Sequence, residues 1–140
     1  LMTLLVQKEV AERIVGSPHH GGAGDGKESI LSLSVKAYGE PKYIQTVKAG
    51  SFNPPPKVAS AILSITNISR DKFRRLKITE AAFFKMIKAG FAHKRKTIIN
   101  NLKEIGVGLH LLEKCGIKPT DRAEDLTLNQ WFCLVKQTKQ

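Results

Sequence analysis

Pro54, Pro55 and Pro56 follow one another inside the stretch SFNPPPKVAS at 51–60. None of the three carries a backbone N–H, so neither a sheet ladder nor a helix can run through them. On either side the pattern is that of strands. KYIQTV at 42–47 reads as a short strand, and SAILSITNI at 60–68 alternates with Ala61, Leu63, Ile65 and Asn67 on one side and Ile62 and Ile68 on the other. The triproline therefore has to be a rigid, donor-free connection between two strands.

Upstream, Leu1-Met2-Thr3-Leu4-Leu5-Val6 is a dense apolar run, and residues 2–7 read as a central strand buried on both faces. A chain that opens on such a strand reads as the back half of a longer protein. Residues 8–15 form a short helix with Val10, Ile14 and Val15 on its apolar side. GSPHHGGAGDGKES then has no hydrophobic pattern and reads as loop. Within it His19 and His20 lack further ligands for a metal. GGAGDG at 21–26 follows a helix rather than a strand, which is the wrong context for a phosphate or nucleoside loop. ILSLSVKAY at 30–38 alternates apolar and polar residues and reads as a strand, ended by the turn Gly39-Glu40-Pro41.

After Ser69 the character changes. RDKFRRLK reads as a charged linker, and helices are expected at about 80–105, 108–115 and 128–137, with Thr79 and Thr127 as caps for the first and last. On the long helix, Phe84, Ile87, Phe91, Ile98, Leu102 and Ile105 make an apolar stripe into which Arg95 falls. Lys85, Lys88, Lys96 and Lys103 make a second line, a basic ridge suited to a phosphate backbone. Charge is divided unevenly. Residues 1–69 hold 7 Lys/Arg against 5 Asp/Glu, and residues 70–140 hold 16 against 7, so +9 of the total +11 lies in the second part. That balance calls for a polyanionic partner.

No apolar run is long enough to span a membrane, and no secretory pattern opens the chain. Cys115 and Cys133 are too few and too far apart for a zinc ribbon. They read as reduced thiols of an intracellular protein, with a single disulfide as the alternative.

Four blocks occur in order: LVQKEVAERIV, SFNPPPKVAS, FAHKRKTIINNL and GIKPTDRAEDLTLNQW. Together they resemble the C-terminal half of the small-subunit ribosomal RNA adenine dimethyltransferases, and the resemblance covers nearly the whole chain. It implies an α/β plus all-α fold: the last three strands of a Rossmann-like methyltransferase sheet (2–7, 30–38, 60–68), within residues 1–69, followed by a small helical RNA-binding domain at 70–140. It implies S-adenosylmethionine as cofactor of the full-length enzyme, with two adjacent adenosines of small-subunit RNA dimethylated on N6. The immature small ribosomal subunit in the cytoplasm would be the partner. The family's glycine-rich cofactor loop and Asn-Leu-Pro-Tyr motif lie upstream of these blocks, so no cofactor binding and no methylation are expected of this chain alone.

The resemblance also assigns residues. Phe52 would stack on an adenine removed from its helix, held in place by the prolines that follow. Read without the other blocks, Phe52 is a core plug and the prolines a strand terminator. Asn53 would be a catalytic residue beside Phe52 although its position varies in the family, and Lys57 is placed to meet a phosphate. HKRK at 93–96 stands where the family has glutamine followed by Arg-Arg-Lys, which puts Lys94, Arg95 and Lys96 on RNA beside Lys85, Lys88 and Lys103. Lysine at 94 keeps the charge but loses the bidentate fork. Asn100 and Asn101 match an Asn-Asn pair that could cap or bridge this region, and Arg122 and Glu124 read as fixing the turn before the last helix. Glu28-Ser29-Ile30-Leu31-Ser32 departs from the family's Tyr-Gly-x-Leu-Ser run.

Two rivals remain. Macrolide-resistance methyltransferases of large-subunit RNA carry Phe-x-Pro-x-Pro-x-Val with a non-proline in the middle, and Pro55 speaks against them. A non-catalytic RNA-binding or ribosome-assembly module would share the same basic tail.

Overall fold

The structure is a computed structural model that describes residues 1–15, 27–51, 53 and 57–138. Two compact units divide it, Leu1–Ser69 and Arg70–Gln140. No helix among the described residues is long and apolar enough to cross a membrane.

The first unit is built on a three-stranded antiparallel sheet in the order β1-β3-β2, with β1 Met2–Gln7, β2 Glu40–Val47 and β3 Ser60–Thr66. Alternation in β3 is what the sequence indicated: Ala61, Leu63 and Ile65 are buried, with half-buried residues between them. Leu63 sits opposite Leu4 on one side and Tyr43 on the other. This row packs with Ile65 on Val10, Ile14 and Val15 of helix α1, Lys8–Val15, and on Val35 of helix α2, Ile30–Tyr38. Complete burial of a side chain such as Leu63 contributes about 1.5–3 kcal/mol.

Among the described residues β1 pairs with β3, and Leu5 is 54% exposed here rather than covered on both faces. One expectation for this unit fails. Residues 30–38 are a helix rather than a strand, so β2 supplies the third strand of the sheet. The serines that imitate strand alternation act locally instead. The Ser29 hydroxyl accepts from the Ser32 amide at 3.1 Å, and the Ser32 hydroxyl accepts from the Ser29 amide at 2.8 Å, a reciprocal cap that starts α2. The buried residues, Ser32, Leu33, Lys36 and Ala37, then recur with helical spacing. Lys36 is tolerated there because its ammonium donates to Glu28 at 2.6 Å. The helix stops at Gly39, where a Cβ would lie 2.7 Å from Cγ2 of Ile65.

The second unit is helical: α3 Asp71–Leu76, α4 Glu80–Gly90, α5 Ile98–Leu102, α6 Leu109–Lys114 and α7 Leu128–Thr138. RDKFRRLK is therefore not a linker. It forms α3, whose buried Phe73 meets Phe83 and Phe132 edge-on at 5.3 and 5.6 Å. Thr79 and Thr127 cap as expected, each hydroxyl accepting from the amide three residues on. The 80–105 helix is broken. α4 ends at Gly90, residues 91–97 turn, and α5 restarts at Ile98 before a 3-10 turn at Lys103–Ile105. Partners outside the helix satisfy the backbone that a continuous helix would satisfy itself. The Ile98 amide donates to the Asp121 carbonyl at 2.7 Å, and Asn101 supplies the rest. Of the anticipated stripe, Ile87, Ile98 and Leu102 are buried, Phe83 and Met86 replace Phe84, and Ile105 is exposed.

The cysteines are not free. α6 ends beside α7, and Cys115 and Cys133 are joined by a disulfide with their Cα atoms 5.7 Å apart. The expectation of reduced thiols is corrected by this proximity, which the sequence separation of 18 conceals.

Candidate nucleic-acid interface

In the first unit the connection 48–59 leaves β2 and enters β3, where Val47 pairs with Ser60. A 3-10 turn at Ala49–Ser51 opens it, closed by the Ser51 amide on the Lys48 carbonyl at 3.0 Å. Its far end is held by the Lys8 amide, which donates to the Ala59 carbonyl at 3.0 Å. The connection is thus anchored at the end of the sheet where β1 passes into α1. Asn53 and Lys57 are exposed on it. Phe52 and the three prolines lie outside the described residues, as do His19, His20 and GGAGDG. Among the described residues no group of three or more His, Cys, Asp or Glu could hold a metal ion.

In the second unit the break after α4 creates the feature of most interest. The Lys96 amide donates to the His93 carbonyl at 3.0 Å, so His93–Lys96 is a hydrogen-bonded β-turn with Lys94 and Arg95 at its tip. Beneath it lies Asn101, only 5% exposed. Its Oδ1 accepts from the His93 amide at 3.1 Å and its Nδ2 donates to the His93 carbonyl at 3.0 Å. Asn100 Nδ2 bonds the Thr97 hydroxyl at 3.0 Å at the start of α5. Further along, the Lys118 amide donates to Asp121 and the Arg122 amide to Asp125, each at 3.0 Å. These bonds shape the segment whose Asp121 carbonyl caps α5. Arg122 itself is exposed, and Glu124 is half-buried in the 3-10 turn Ala123–Asp125.

Lys85, Lys88, Lys94, Arg95, Lys96 and Lys103 are all exposed. They do not form one ridge along one helix. Lys85 and Lys88 share a face of α4, Lys94–Lys96 belong to the turn, and Lys103 follows α5. Arg95 is likewise not on an apolar stripe, because the break removes residues 91–97 from the helical wheel. Two acidic groups of this unit pair away from the turn, Glu80 with Arg70 at 3.2 Å and Asp71 with Arg74 at 3.5 Å, while Lys94, Arg95 and Lys96 are exposed. Such an array of exposed cations binds phosphate oxygens through charge and counterion release. Sequence patterning did not reveal the clamp role of Asn101. The available signal was a polar residue at a buried helical position, three after Ile98 and next to Leu102.

The family model described as "Ribosomal RNA adenine dimethylase" matches residues 1–140. A ribosomal RNA small subunit methyltransferase A of Dehalococcoides mccartyi is 41% identical over 142 residues, covering 96% of this chain and 46% of that protein. One from Fusobacterium nucleatum is 40% identical over 138 residues, covering 95% and 49%. The chain thus spans about half the length of these curated relatives. Among solved structures, the 23S rRNA methyltransferase ErmE matches with a TM-score of 0.68 at 21% identity, over 99% of this chain and 54% of that one. A dimethyladenosine transferase from Plasmodium falciparum matches at 0.68 and 24%, over 94% and 54%. At these identities the structural likeness establishes the fold, mixed α/β with a small sheet and helices. The match over every residue, with relatives near 40% identity, places the chain in the ribosomal RNA adenine dimethylase family.

Proposed function

We propose that this chain is the C-terminal portion of an S-adenosylmethionine-dependent rRNA adenine N6,N6-dimethyltransferase that works on the immature small ribosomal subunit in the cytoplasm. The helical unit docks on the RNA backbone, and the 48–59 connection faces the target adenine. The observation that carries this reading is the solvent-facing β-turn with Lys94 and Arg95 at its tip, in a unit holding +9 of the chain's charge. The names of the curated relatives support the small-subunit substrate, and Pro55 supports it over the large-subunit type.

The cofactor belongs to the whole enzyme. This sequence contains no Asn-Leu-Pro-Tyr run, so no methyl-transfer step is assigned to its residues. Its part is to bind and to orient. Phe52 offers a face for stacking, worth about 1–3 kcal/mol per base, and Asn53 and Lys57 belong to the same connection in the sequence. In the full-length enzyme Phe52→Ala should lower turnover about tenfold or more with cofactor affinity unchanged. Equal loss of both would assign Phe52 to the fold instead.

The docking reading is tested with the 140-residue chain and a short labelled RNA hairpin titrated at several salt concentrations. Replacing Lys94, Arg95 and Lys96 by Ala should weaken binding and flatten the log–log salt dependence by roughly one unit per lost phosphate contact. Lys85→Ala, Lys88→Ala and Lys103→Ala should each act in the same direction. An unchanged slope after the triple replacement would mean that the turn is a solvated surface.

A further inference from the structure

The buried carboxamide of Asn101 matches the backbone of a single residue, His93, at both its donor and its acceptor. A side chain that pairs this way behaves like a neighbouring peptide and leaves neither backbone group of His93 unsatisfied. Asn101 sits on α5, whose first amide is bonded to the Asp121 carbonyl at 2.7 Å. The turn is therefore tied through Asn101 to a helix that is itself tied at its start.

We propose that Asn101 is the positioning residue of the basic turn. By holding the His93 peptide it presents Lys94 and Arg95 as a preformed pair of cations, so that little loop entropy is lost when a phosphate backbone arrives. This rests on the RNA-docking reading above. Asn101 need not touch RNA itself, since it is nearly fully buried while the residues it positions are exposed. Its effect runs through the geometry of the turn rather than through charge.

The test measures affinity of the full 140-residue chain for a short labelled RNA hairpin by fluorescence anisotropy. The variants are Asn101→Ala, the near-isosteric Asn101→Asp, Arg95→Ala and the double variant Asn101→Ala/Arg95→Ala. Asn101→Ala should weaken binding about tenfold. Arg95→Ala should then cost less in the Asn101→Ala background than in the parent, because a misplaced guanidinium has less to lose. Unfolding would erase the Arg95 contribution as well, so the coupling counts only for variants whose Trp131 emission shows the helical unit folded. If Arg95→Ala weakens binding while both Asn101 variants bind like the parent, the proposal is overturned with the RNA reading intact. Strict additivity of the two substitutions overturns it as well. If Arg95→Ala leaves both affinity and salt slope unchanged, the RNA reading fails first and takes this proposal with it. Amide hydrogen exchange of His93 in the parent protein gives a check that needs no variant. Slow exchange is expected, and exchange at the open-chain rate overturns the clamp.

Discussion

Reducing the Cys115–Cys133 disulfide should lower the unfolding free energy of the helical unit by about 3 kcal/mol. The bridge spans 18 residues of sequence, and opening it restores to the unfolded chain the conformations that a closed loop of that size forbids. The enclosed segment also carries the Asp121 carbonyl that caps α5, so its loosening reaches the basic turn. For a unit of this size the shift amounts to roughly 10–20 °C in Tm. Trp131 is the chain's single tryptophan and is fully buried in this unit, so its emission reports on this unit alone. Denaturant titrations followed at that signal, with and without dithiothreitol and for Cys115→Ser/Cys133→Ser, should show the same loss. A midpoint that neither treatment moves would contradict the prediction. In a reducing compartment the pair is kept as thiols and the helical unit works without this staple.

Gly90→Val should destabilise the same unit by about 3 kcal/mol or more. A helix interior normally gains by losing glycine, by roughly 0.4 kcal/mol for valine and 1 kcal/mol for alanine. Here the sign reverses. A Cβ at position 90 would fall 2.4 Å from Cη2 and 2.9 Å from Cζ3 of Trp131, with Cδ1 of Ile98 at 3.1 Å. The indole cannot swing aside freely, since Phe91 stacks on it with centroids 5.7 Å apart and the ring is fully buried. Gly90→Ala should cost less than valine but still more than nothing. Placing either substitution in a Trp131→Leu background, where the ring is gone, should recover much of the loss. If Gly90→Ala raises stability as helix propensity alone dictates, the packing account of this position is wrong.

What could be read from the sequence depended on how far local pattern and tertiary demand agree. β3 was legible because Ala61, Leu63 and Ile65 alternate and are buried in alternation. α1 was legible from its apolar period, and α7 because period and cap coincide, as Thr127 shows at its start. The segment 30–38 misled for a specific reason. Its polar residues looked outward, yet Ser32 and Lys36 are buried and satisfied by Ser29 and Glu28, partners that no periodicity count includes. The long helix failed for a related reason. Residues 91–97 carry no glycine or proline to announce a break, and the break is stabilised by an asparagine ten residues after Phe91 and a carbonyl at Asp121. The basic residues were found from their spacing and from the family resemblance, but their arrangement on a turn rather than a ridge required that break. The role of Phe52 came from resemblance to a family, and no periodicity or charge argument reaches it.

The sheet of the first unit has one face toward α1 and α2, and the other has a different consequence. There Leu5 lies opposite Ile62, and the bulge between Tyr43 and Gln45 leaves Ile44 half-exposed beside them. An apolar strip of this kind across a sheet face is adhesive, since it invites apolar association between molecules. What opposes it in solution is the chain's own +11 charge, which keeps copies apart at low ionic strength. Salt that screens the charge also strengthens apolar contact. The same positive surface that recommends this chain to RNA is therefore its main colloidal protection, and neutralising those charges exposes the strip to self-association.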